Sequence, residues 1–234
     1  MKRNYLEILL VAAVVLVTAF LTRKTVVSTF FNIGVKQKCI VCVDAGHGGN
    51  DPGKIGVNEL KEKDINLSIA KKVRVILEQN DVEVVMTRTE DVGLYDEESK
   101  NKKLQDMKKR CELINHSNCS FTVSIHQNSF QTKEAKGAQV FYYDKSKKGK
   151  ALAAVLQNQL REGLDKSNSR SEKANNNYYL LLHTDAPTVI VECGFLSNPE
   201  EADKLGEEKY QEKVAWQIAL GIMKYLNRRE DVIY

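Results

Sequence analysis

At 234 residues, with 42% hydrophobic and 28% charged residues, the chain has the make-up of one globular domain with room for an appendage. Its net charge of +4 is a mild basic excess. That excess suits an anionic surface such as a membrane or a cell-wall polymer. With no Lys/Arg stripe interleaved with aromatics, it argues against a nucleic-acid partner.

Met1-Lys2-Arg3 precedes an uncharged, mostly apolar run from Ile8 to Thr22, which Arg23 and Lys24 close. A basic start and an apolar middle are the pattern of an export signal, and Val17-Thr18-Ala19 offers a small-residue cleavage site. The run falls a little short of the roughly 20 residues that span a bilayer, and reaches that length once Tyr5 and Leu6 are counted. Residues 1–24 are therefore read as an apolar helix serving as signal peptide or membrane anchor, and 25–37 as a polar-leaning linker. The protein is expected outside the cytoplasm, secreted or membrane-associated.

From Cys39 onward, strand and helix patterns alternate, as in an α/β domain. Val41-Cys42-Val43-Asp44 reads as a short buried strand entering a glycine-rich loop. Ile65, Ile69, Val73 and Leu77 recur every four residues and predict a helix, and Val82–Thr87 predicts the next strand. Arg88–Lys103 is charged, lacks core periodicity and is expected to be a surface excursion. Leu104, Met107, Cys111 and Ile114 form the stripe of a second helix leading to a strand, Phe121–Ile125, that ends at His126. Ala138–Tyr143 predicts a strand, and Leu152, Val155, Leu156 and Leu160 the face of the helix after it. Ser167–Asn177 reads as a loop, and Thr188–Val191 as a strand delivering Glu192. Asn198-Pro199-Glu200-Glu201 has the capping residue, proline and acids of a helix start. Val214, Ile218 and Ile222 mark one face of a last helix. The expected fold is a single α/β domain with a central, mostly parallel sheet flanked by helices.

Five cysteines exclude a complete disulfide set. Cys39 and Cys42, three apart on a strand, point to opposite faces and do not share a metal or a bridge. Cys111 and Cys193 read as small core residues.

If the three short apolar strands lie parallel, their carboxyl ends share the edge where α/β folds keep their active sites. His47, His126 and Glu192 then converge, which points to a metal hydrolase. The glycine-rich loop lacks the nucleotide fingerprint and any Gly-Lys-Ser/Thr ending, so a phosphate loop is disfavoured. Asp44 is placed to hold the other ring nitrogen of a liganding histidine. Gln127 and Asn128 are polar groups able to bind an amide substrate. Glu192, costly to bury in an apolar strand, is suited to accept a proton. Catalytic zinc takes three protein ligands, and Glu59, Glu62 and Asp64 are all candidates for the third; spacing does not choose among them. His116, at a helix end where a cationic ring helps the dipole, and His183, in a loop, are left outside the site.

Asp44–Gly53 (DAGHGGNDPG), Glu62–Leu67 (EKDINL), Ser124–Ser129 (SIHQNS) and Val191–Asn198 (VECGFLSN) together resemble the zinc-dependent N-acetylmuramoyl-L-alanine amidases of the amidase-3 type. The likeness runs from about Cys39 to Leu226. It implies one zinc ion held by His47, Glu62 and His126, with Glu192 as the catalytic residue. It makes residues 38–228 the catalytic domain and 229–234 a tail. Arg110–Asn115, Gly137–Tyr143 and Asn177–Leu181 look like the germination-specific, spore-cortex members. That narrower likeness implies a peptidoglycan substrate, cortex modification towards muramic-δ-lactam, and a site at the forespore envelope. An accessory protein is a further candidate partner; whether zinc binding or activity needs one is not legible in the sequence. Lys54 and Cys193 depart from the family's usual small residue and valine. Two rival readings remain at this level: a zinc peptidase acting on wall peptides, and a wall-binding regulatory protein with a dead site.

Overall fold

A computed structural model of the chain describes residues 39–230. The expected leader over 1–24 and linker over 25–37 lie outside the described residues. Among the described residues, no helix is long and apolar enough to cross a membrane.

Six strands form one sheet. In chain order they are β1 (Ile40–Ala45), β2 (Glu83–Met86), β3 (Phe121–Asn128), β4 (Gln139–Tyr142), β5 (Lys173–Ala174) and β6 (Thr188–Phe195). Their spatial order is β2-β1-β3-β6-β4-β5. The β2, β1, β3 and β6 strands run parallel, and β4 is antiparallel to β6. The helices are α1 (Glu62–Glu78), α2 (Lys102–His116), α3 (Lys147–Leu164), α4 (Tyr179–His183), α5 (Pro199–Gly206) and α6 (Glu208–Glu230).

Strand alternation divides the side chains between two unequal faces. Val41, Val43 and Ala45 of β1, Phe121, Val123 and Ile125 of β3, and Val189, Val191 and Cys193 of β6 enter the main core. There they meet Ile65, Ile69, Val73 and Leu77 of α1, Leu152, Leu156 and Leu160 of α3, and Val214, Ile218 and Ile222 of α6. The four-residue repeats read from the sequence are the faces that these helices bury, and the resulting apolar contact is the main source of their stability.

The opposite face is thinner. Cys42, Cys111, Ile114 and Leu180 form one small cluster there, and Phe141, Leu181 and Ile190 another, under α2 and the short α4. Alternation sends Asp44, Ser124, His126 and Glu192 to this side. The polar chemistry thus projects from the lightly covered face, at the carboxyl ends of adjacent parallel strands.

Helix starts follow the capping logic of the sequence. Asn198 Oδ1 accepts from the Glu201 amide at 3.0 Å, with Pro199 in the first turn. Asn101 and Ser146 cap α2 and α3 in the same way. All five cysteines are free.

Three expectations need correction. The stretch after β2 is not wholly a surface excursion, because Arg88 is 3% exposed and its guanidinium is consumed by backbone carbonyls. Leu104 lies on the solvent side of α2 at 40% exposure, since Met107, Cys111 and Ile114 already fill the contact with the sheet. The loop over 167–177 contributes a two-residue strand, Lys173–Ala174, which extends the sheet edge beyond β4.

Candidate functional site

The glycine-rich loop leaves β1 through a run of unusual backbone. His47 is left-handed at φ 62°, and Gly48 and Gly49 follow at 136° and 57°. A non-glycine residue in that region is strained, so the surroundings must hold it there. Two buried guanidiniums do so. Arg88 donates to the Ala45, Gly46 and Lys63 carbonyls at 2.9, 3.0 and 2.8 Å. Arg110 donates to the Ala45 carbonyl at 2.8 Å and to the His47 carbonyl at 2.6 Å. Its charge is balanced by Asp44 at 2.8 Å and by Asp106.

Glu62, the first residue of α1, is 2% exposed. Its Oε1 lies 2.9 Å from His126 Nδ1 and 3.2 Å from His47 Nε2, and accepts the Gln127 amide at 3.1 Å. Its Oε2 accepts the Lys54 amide at 2.8 Å. Burial opposes ionisation of Glu62, but His126 and His47 outweigh it and drive the carboxyl far below the usual range. One ligand atom from each of His47, Glu62 and His126 lies within 4.8 Å of the others, so the group can hold a metal ion. The donor set is sound: two imidazoles and one ionised carboxylate leave a coordination position open. Glu59 and Asp64, the other candidates for third ligand, are exposed. The His126 ring lies directly over Gly46, where an added Cβ would fall 2.2 Å from Cε1.

Glu192 pairs with His126 in the β3–β6 register. It is 7% exposed, and its Oε2 is buried with no hydrogen-bond partner among the described residues. Burial pushes its carboxyl up to about 7, against the pull of His126. These groups line a cleft of about 530 Å³.

The residues expected around the ligands serve differently. Asp44 does not reach a histidine; it accepts from Thr87, Ser124 and Arg110, facing α2. The ring nitrogen is held instead by Asp51, whose Oδ2 is 2.8 Å from His47 Nδ1. Asp51 stands four residues beyond His47, where the tight turn folds it back, a closure that strand logic does not reveal. The Gln127 side chain points to the helix side and donates to Asn66 at 3.1 Å, because it is the next residue along the strand from His126. What it lends to the site is its backbone N–H. Asn128 lines the cleft, and its Oδ1 accepts from the Ser129 amide. His116 bonds the Glu112 carbonyl at the end of α2, and His183 ends α4, stacked on Tyr179 at 3.8 Å.

A carboxylate set between two imidazoles at the carboxyl edge of a parallel sheet, beside a second, buried glutamate, defines a hydrolase site able to carry a metal. Residues 41–224 match the N-acetylmuramoyl-L-alanine amidase model of the Amidase_3 type, and the chain belongs to that family. It is 40% identical over 195 residues to the germination-specific N-acetylmuramoyl-L-alanine amidase of Bacillus subtilis, covering 82% of this chain and 81% of the relative. The CwlD amidase of Clostridioides difficile, solved in complex with the GerS lipoprotein, superposes with a TM-score of 0.79 and 42% identity. That match covers 81% of this chain and 99% of the other. The amidase AmiC2 of Nostoc punctiforme gives 0.71 and 34%, over 82% and 98% of the two chains. The chain is a cell-wall amidase, hydrolysing the amide between N-acetylmuramic acid and L-alanine.

Proposed function

We propose that His47, Glu62 and His126 bind one zinc ion and that Glu192 is the catalytic base of the amidase. The observation that carries this reading is the approach of the three ligand atoms to within 4.8 Å, with Glu192 in register beside His126. A zinc ion, when bound, supplies a Lewis acid that polarises the amide carbonyl. The Glu192 carboxylate takes the proton of the attacking water and hands it to the departing L-alanine nitrogen. Asp51 fixes the His47 ring, and the Lys54 and Gln127 amides fix the Glu62 carboxylate.

Within this reading the substrate is the spore cortex, and the product is the bare muramic acid from which muramic-δ-lactam is made. The name of the B. subtilis relative, a germination-specific amidase, supports a role in germination. The complex of the C. difficile relative with a lipoprotein supports an accessory lipoprotein as partner, and the apolar sequence over 8–22 supports export, as a cleaved signal or as a membrane anchor.

The test is product analysis. Zinc-loaded enzyme should release intact stem peptides from muropeptides, whereas a peptidase would release single residues. Glu192→Gln should keep its zinc and lose turnover. Near-normal peptide release by that variant would overturn the base assignment.

A further inference from the structure

The cationic side chains that line the cleft are matched by anions, with one exception. Arg110 is met by Asp44 and Asp106, and the two histidines by Glu62. Lys103 Nζ lies 4.0 Å from Asp51 Oδ2. Lys54 lines the same cleft and is exposed, and its ammonium has no anionic partner among the described residues. Its main chain, by contrast, is locked to a residue of the metal cluster. The Lys54 N–H donates to Glu62 Oε2 at 2.8 Å, and the Lys54 carbonyl accepts the Glu62 amide at 2.9 Å. Just before it, Gly53 is left-handed at φ 68°, and an added Cβ there would fall 2.6 Å from Glu62 Oε2 and 2.8 Å from the His47 ring. The loop thus passes hard against two of the proposed ligands, and the Lys54 side chain starts from a fixed point beside them.

An unmatched ammonium in a substrate cleft is suited to an anion that the substrate brings. The stem peptide carries one close to the cleaved bond. The residue after L-alanine is a glutamate joined through its side chain, which leaves its α-carboxylate free. Two residues of extended chain span at most about 7 Å, so that carboxylate lies within about 7 Å of the cleaved amide. The flexible four-carbon stem of a lysine anchored beside Glu62 suits that separation. We propose that Lys54 binds this α-carboxylate and sets a preference for stem peptides in which it is free over those in which it is amidated. The inference rests on the reading that Glu62 holds the metal, because Glu62 is what places Lys54 beside the reacting amide.

The test uses zinc-loaded, full-length wild type, Lys54→Met and Lys54→Arg on two purified muropeptides. These differ only at that α-carboxyl group, free in one and amidated in the other. kcat, KM, zinc content and Tm are measured at low and moderate ionic strength. Wild type should favour the free acid about three- to tenfold in kcat/KM, the scale of one partly screened charge-assisted bond. The preference should reside in KM and shrink as salt is raised. Lys54→Met should lose it and Lys54→Arg should keep it, both with the zinc content and Tm of wild type. A wild type indifferent to amidation would overturn the proposal, and so would a Lys54→Met that retains the preference. A loss in Lys54→Met that falls equally on both substrates would also overturn it, since that is the mark of a structural role through Glu62. Failure of the metal reading shows separately. A wild type that hydrolyses both muropeptides at undiminished rate after zinc is removed would discard the metal site, while the ratio between the two substrates still decides the role of Lys54.

Discussion

Arg110 Nη1 donates to Asp44 Oδ1 at 2.8 Å, and the two side chains are 2% and 1% exposed. This ion pair sits under the ligand loop, joining α2 to the end of β1. The same guanidinium holds the His47 carbonyl, so the pair links the stability of the fold to the geometry of the site.

Asp44→Asn is expected to be strongly destabilising. It removes one partner of a sealed pair and leaves a buried guanidinium undercompensated, which costs about 3–5 kcal/mol. Denaturant titration of the two proteins measures it. A difference below about 1 kcal/mol would place the pair among contacts of no net value.

The pair also sets an acid limit. Burial alone would lift the Asp44 carboxyl, but the Arg110 charge and the Ser124 and Thr87 hydroxyls outweigh it and hold the group at about 2, below its ordinary 3.8. A pKa depressed on folding contributes stability that is complete above the unfolded value and lost as pH falls through the folded one. The stability gap between wild type and Asp44→Asn should therefore stay constant from pH 7 to about 4 and close towards pH 2. A gap that is flat across that window contradicts the assignment.

Asp51→Ala removes the group that orients His47. Zinc affinity should weaken roughly 10–100-fold, as when the hydrogen-bond partner of a liganding histidine is lost. Competition with a chromophoric chelator reads this directly. The Asp51 side chain is 33% exposed, so the Tm of the metal-free protein should hardly move.

Gly46→Ala puts a methyl where the His126 ring lies, 2.2 Å from Cε1. The ring must swing away, and the variant should purify with an unchanged far-ultraviolet spectrum and little zinc. Retention of stoichiometric zinc would show that the ring can shift without losing its role.

The sheet was legible because β1, β3 and β6 are runs of β-branched residues between turn formers, and each ends in a chemically distinct side chain. The helices were legible because Ile65, Ile69, Val73 and Leu77 repeat at the period of the face they bury. The support of the site was hidden for a physical reason. Arg88 and Arg110 stand in charged stretches that look solvated, and only the folded chain shows the carbonyls that dehydrate and hold them. Asp44 and Asp51 flank His47 in sequence, and the left-handed turn decides which of them meets its ring. Among Glu59, Glu62 and Asp64, spacing could not choose; the pitch of α1 turns Glu62 inward, and the other two stay in water.

The carbonyls of residues 45, 46 and 47 are all taken by buried guanidiniums. The loop that presents His47 consequently has its conformational freedom removed when the chain folds, before any ion arrives. At the proposed metal site, binding then asks for no refolding of this loop. Folding of the chain and filling of the proposed metal site are thereby separable steps: the loop reaches its final geometry first, and an ion can enter afterwards.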